Sequence, residues 1–100
     1  MNYETLLVNK DERGVVSLTL NRPGKRNALS AKMIHELTNF AASLTPDVRV
    51  TVIQGAGNLF CAGGDLEWMN AQIKADRSTR IAEARKLAFM LKALNELPMP

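Results

Sequence analysis

The chain has 100 residues, 46% of them hydrophobic and 23% charged, the values of an ordinary globular protein and enough for one domain with a modest core. Thirteen Lys and Arg against ten Asp and Glu give a formal charge of +3, and the basic residues are scattered with no block of like charge, so a nucleic-acid platform is not indicated. A single cysteine, Cys61, excludes an internal disulfide and, with His35 as the one histidine, any recognisable metal spacing; no basic leader and no run of ~18–20 apolar residues points to secretion or to a membrane, so the expected compartment is the reducing cytoplasm.

Thr5 to Asn9 is short and apolar, the charged run Lys10 to Gly14 suits a turn, and Val15 to Leu20 alternates with Val16, Leu18 and Leu20 on one face. This predicts an antiparallel hairpin. Asn21 to Asn27, with Pro23 and Gly24 inside it, predicts a loop. Ser30 is a candidate N-cap for an amphipathic helix that carries Met33, Leu37, Phe40, Ala41 and Leu44 and ends before Pro46. Val48 to Ile53 is rich in β-branched residues and is expected to be a strand joined to the hairpin by a crossover through that helix.

Asn58-Leu59-Phe60-Cys61-Ala62-Gly63-Gly64-Asp65-Leu66 follows this third strand and runs into a helix from Asp65 to about Gln72, which presents Leu66 and Met69 on one side. Gly63 and Gly64 let the backbone approach a ligand, and Asp65 is placed to cap the helix. Free amides at such a junction suit a phosphate, a carboxylate or a developing oxyanion. Lys74 to Ser78 is polar and is expected to be a loop. A last helix from about Thr79 to Leu97 carries the stripe Ile81, Ala84, Leu87, Ala88, Leu91 and Leu94. Three strands with a valine-rich open edge lead to the expectation that the chain is the opening portion of a larger domain.

Two segments in this order, Asn21-Arg22-Pro23 with Asn27-Ala28-Leu29 and then Phe60 to Leu66, resemble the N-terminal signatures of the crotonase superfamily of enoyl-CoA hydratases and isomerases. Trp68-Met69 and the Leu87 to Pro100 segment look most like the methylglutaconyl-CoA hydratase-like branch. The resemblance implies an α/β spiral of ββα units, of which residues 1–100 would be the N-terminal, truncated portion. It implies binding of an acyl-CoA thioester and stabilisation of its enolate, with coenzyme A as part of the substrate and no metal or redox cofactor. Gly64 matches the first of the two backbone donors to the thioester oxygen. Ala62, Gly63, Asp65 and Leu66 would line one side of the coenzyme A, and Lys25, Arg26 and Ala28 the other.

Trp68 and Met69 have two readings of equal weight, an acyl pocket and core packing. Asp65 is read as a helix cap before a general base, Cys61 as a small apolar residue before a nucleophile, and His35 as a surface residue. The second oxyanion amide and the glutamates that handle water and proton come from later segments in the family, and Glu36, Glu67, Glu83 and Glu96 match none of those motifs. Residues 1–100 are therefore expected to be inactive as a hydratase on their own. The resemblance also implies a homotrimer or hexamer and a place in fatty-acid or branched-chain amino-acid degradation. Enoyl-CoA isomerisation, a non-catalytic subunit and RNA binding are the rival readings. The last is disfavoured because Met33 to Leu44 holds no Lys or Arg.

Overall fold

A computed structural model describes residues 2–100. Strands β1 (Leu6–Lys10) and β2 (Val15–Leu20) pair antiparallel, with Leu6 opposite Leu20 and Lys10 opposite Val16. Strand β3 (Val50–Gly55) pairs with β2 in parallel, Val15 beside Val50 and Leu20 beside Gly55, so the sheet order is β1-β2-β3. Parallel neighbours require a crossover, and helix α1 (Ala31–Ser43) lies within it. Helices α2 (Leu66–Lys74) and α3 (Arg77–Asn95) follow.

The hairpin closes through Asp11, whose carboxylate accepts from the Arg13 and Val15 amides at 2.8 and 3.2 Å. Gly14 sits at φ +83°, and a Cβ there would meet the Asp47 carbonyl at 2.7 Å. Only glycine satisfies both conditions, and the Gly14 carbonyl in turn accepts from Arg49 and fixes the start of β3.

The alternation expected for β2 is observed: Val16, Leu18 and Leu20 are buried with Leu6, against Met33, Ile34, Leu37 and Phe40 of α1. Ser30 caps α1 by accepting from the Met33 amide at 3.1 Å. The opposite sheet face is open and partly polar, with Gln54 donating to the Thr19 hydroxyl at 3.0 Å and Leu7 exposed. Strand β3 lies at the sheet edge with Val52 and Ile53 exposed, and the Thr51 amide donates to the Pro100 carbonyl at 2.9 Å.

Several local expectations are corrected. The first and third strands begin later, at Leu6 and Val50, and α1 begins at Ala31, which brings Lys32 into it. The loop before α3 shrinks to Ala75 and Asp76, because Asp76 accepts from the Thr79 amide at 2.8 Å and starts the helix at Arg77. Helix α3 then packs through Met90, with Leu87 and Leu94 half-buried, and leaves Ile81 and Leu91 exposed. On α2 the side turned to the core is that of Trp68, and Leu66 is 74% exposed.

Candidate active site

The site is built from two loops that run side by side. The first, residues 21–30, contains one 3₁₀ turn, Pro23–Lys25, with proline at its start. Arg26 and Asn27 follow it in the left-handed region, at φ 54° and 55°. Asparagine tolerates this conformation better than most side chains, and arginine pays a conformational penalty there. Asn27 is fully buried and ties the loop to the next one: its amide nitrogen donates to the carbonyls of Ala56 and Leu59, both at 2.9 Å, and its Oδ1 accepts from the Arg22 amide at 2.8 Å.

The second loop, residues 56–65, is docked on the first by its backbone. The Ala62 amide donates to Arg26 at 3.0 Å, the Leu29 amide to Gly63 at 2.7 Å, and the Asp65 amide to Leu29 at 2.9 Å. The last two bonds make a lone parallel bridge between Leu29 and Gly64. The Gly63 amide is turned back on Cys61, with Sγ at 3.4 Å. Among the described residues, the Gly64 amide has no hydrogen-bond partner. The C=O and N–H of the trans peptide between Gly63 and Gly64 point opposite ways, so the bond from Leu29 to the Gly63 carbonyl turns the Gly64 N–H outward, away from the first loop.

The two glycines differ in how far their conformation demands glycine. Gly63 is at φ +104° with open space around it, a purely conformational requirement. Gly64 is not in that region, and a methyl group on it would make ordinary contact with Met69 Cγ and Sδ at 3.4 Å and with the Trp68 ring at 3.9 Å. Gly64 is exposed.

Asp65 is buried and caps α2, its Oδ2 accepting from the Trp68 amide at 3.1 Å while Oδ1 lies 3.2 Å from Arg22 Nη2. The bond from the Trp68 amide, helped by the Arg22 guanidinium, outweighs burial and holds this carboxyl below its ordinary value. Asp65 is thus an ionised acceptor already engaged by the fold, as expected of a cap.

Of the residues matched to coenzyme A, Lys25, Arg26, Ala62, Gly63 and Leu66 are exposed, and Ala28 is 8% exposed beneath the loop. The Arg26–Ala62 backbone bond brings the two sides together. Trp68 and Met69 adjoin Gly64, and Trp68 lines a cavity of about 470 Å³ with Asp65, Ala71 and Gln72. Trp68 Nε1 and Gln72 Oε1 are buried without a partner among the described residues. A second cavity, about 970 Å³ between α1 and α3, touches none of the turn residues.

Sequence reasoning passed over two residues of this site. In the sequence Arg22 and Asn27 stand out only as loop and motif residues, yet they hold the two loops together. The available signal was polar residues of fixed reach on either side of Pro23-Gly24. Glu36 is a buried polar group away from the site, accepting from the Thr5 hydroxyl and from the Thr5 and Glu4 amides at 2.6, 2.7 and 2.8 Å. Cys61 is half-buried against the core, and His35 is exposed beside Asn39. Among the described residues no cluster of three His, Cys, Asp or Glu could hold a metal, and no helix is long and apolar enough to cross a membrane.

Known proteins resemble this chain in sequence and fold. A model of the enoyl-CoA hydratase/isomerase family matches residues 10–100. The probable enoyl-CoA hydratase echA8 of Mycobacterium tuberculosis is 41% identical over 81 residues, covering 79% of this chain and 31% of that protein. The mitochondrial Delta(3,5)-Delta(2,4)-dienoyl-CoA isomerase of Rattus norvegicus is 36% identical over 95 residues, covering 93% of this chain and 28% of that protein. An enoyl-CoA hydratase structure from Mycobacterium smegmatis superposes with a TM-score of 0.89 at 38% identity over 97% of this chain and 38% of the other. The chain thus spans about a third of the length of the curated relatives it matches. With its α/β fold, 97–99% of it aligned to crotonase-fold structures, and the family model matching residues 10–100, the chain belongs to the enoyl-CoA hydratase/isomerase family.

Proposed function

We propose that the chain is the acyl-CoA-binding and enolate-stabilising part of an enoyl-CoA hydratase that adds water syn to a 2-enoyl-CoA. The observation that carries this reading is the Gly64 amide, exposed and unpartnered in a turn whose neighbouring amides at Ala62, Gly63 and Asp65 are all engaged. An enolate concentrates charge on the thioester oxygen. A fixed N–H aimed at it needs no reorientation during reaction, and one such donor is worth ~2.7–4 kcal/mol at the transition state. Gly63 and Gly64 keep the approach open, Lys25 and Arg26 attract the phosphates, and the exposed Ala62 and Leu66 provide the apolar walls. Trp68 and Met69 line the acyl side. Groups outside residues 1–100 would activate the water and supply the second donor. A cytoplasmic homotrimer or hexamer accompanies this reading.

Isomerisation is the second reading, favoured by the 36% identity to a dienoyl-CoA isomerase over 93% of the chain. Both reactions need the same donor. Trp68 is the single tryptophan and adjoins Gly64, so its fluorescence can follow binding. The hydratase reading predicts tighter binding of a 2-enoyl-CoA, with methylglutaconyl-CoA the tightest if Trp68-Met69 marks that branch. Tighter binding of a 3,5-dienoyl-CoA would favour the isomerase, and no binding of either would overturn both.

A further inference from the structure

We infer that Arg22 is the positioning residue of the Gly64 donor, an inference that rests on reading Gly64 as that donor. The guanidinium reaches across the two loops, with Nη1 donating to the Ala28 carbonyl at 2.6 Å and Nη2 to Asp65 Oδ1 at 3.2 Å. Ala28 directly precedes Leu29, and Asp65 directly follows Gly64. One planar group therefore braces both chains next to the Leu29–Gly64 bridge, which is otherwise two backbone bonds between irregular segments. The brace is well shielded, the Arg22 and Asp65 side chains being 20% and 9% exposed, so solvent competes weakly for it. Arg22 is itself held from behind, its amide bonded to Asn27 Oδ1 at 2.8 Å.

The fork geometry matters more than the charge. A guanidinium presents parallel N–H groups to two acceptors at once, whereas an ammonium is a point charge on a flexible stem. With the brace gone, the bridge can open or slip, and the Gly64 N–H loses its fixed direction while the sheet and α1 keep their own packing. Arg22 touches no reacting atom in this scheme. Its effect on chemistry passes through Leu29 and Asp65 to Gly64.

The test is amide hydrogen exchange and NMR on the ¹⁵N-labelled 100-residue chain. In Arg22→Gln the Leu29 and Asp65 amides should exchange at least about tenfold faster, with the β2 amides unchanged. On titration with butyryl-CoA, the Gly64 resonance should move in the wild type and move less in the variant. Arg22→Lys should resemble Arg22→Gln, because one ammonium cannot serve both acceptors. Unchanged exchange at Leu29 and Asp65 in Arg22→Gln would overturn the inference. If that variant also loses protection in β2 it has unfolded, and Arg22→Lys decides by the same criterion. A Gly64 resonance that stays still in the wild type would instead contradict the donor reading, and the exchange rates would then show a brace of the turn with no catalytic purpose.

Discussion

Leu29 and Gly64 pair as a lone parallel bridge, and the two bonds of that bridge belong to the neighbours of Gly64: Leu29 donates to Gly63 and accepts from Asp65. Gly64 is thus held on both sides while its own amide is left free. This is how a backbone group becomes a preorganised donor. The adjacent peptides are bonded to the first loop, and the Gly64 N–H takes its direction from the trans peptide whose Gly63 carbonyl is held by Leu29.

Asn27 should be the most costly polar side chain of the site to remove. Asn27→Ala abandons the carbonyls of Ala56 and Leu59 and the Arg22 amide, and it places alanine at φ 55° in a fully buried position. Unsatisfied buried groups of this kind imply a loss of about 2–4 kcal/mol in unfolding free energy. Urea denaturation checks this, and a loss near zero would mean that the two loops do not depend on that side chain.

Lys25 and Arg26 are exposed on the loop that carries the Ala62 bond. If they meet the phosphates of coenzyme A, replacing both with alanine should weaken acyl-CoA binding by about tenfold or more at low salt. Binding of the corresponding acyl-pantetheine, which lacks the nucleotide, should not change. Equal losses for both ligands would assign the two residues to loop structure.

The acid limb of stability should contain a contribution from Glu36. Burial pushes this carboxyl up, but bonds from the Thr5 hydroxyl and from the Glu4 and Thr5 amides, with Lys32 nearby, hold it below its ordinary 4.5. A lowered value means stability that is present above about pH 4.5 and is lost as pH falls through the folded value. Glu36→Gln should therefore cost about 1.5–3 kcal/mol at neutral pH, and the gap to the wild type should close in acid. A gap that is independent of pH would contradict the ionised state of Glu36.

Apart from the crossover that sets β3 parallel to β2, what was legible in the sequence was local. The alternation of Val16, Leu18 and Leu20, the Ser30 cap and the Asp65 cap each depend on residues within a few positions, and each is observed. The buried faces of α2 and α3 were not legible. Several spacings on a 19-residue helix give an apolar stripe, and packing against α1 selected Met90 over Ile81 and Leu91. The Arg22–Asp65 brace was also out of reach, since its partners are 43 residues apart and no periodicity connects them. Gly64 is singled out in the sequence by motif resemblance alone. Its unpartnered amide is a property of the folded turn.

The Gly64 donor is tested most directly by the carbonyl stretch of a bound thioester, recorded by infrared difference spectroscopy with a ¹³C-labelled 2-enoyl-CoA. The account predicts a shift to lower frequency in the wild type, the same shift in Gly64→Ala, where the N–H survives and a methyl group makes ordinary contact with Met69, and its loss in Gly64→Pro, where the N–H is gone. An undiminished shift in a folded Gly64→Pro protein would contradict it.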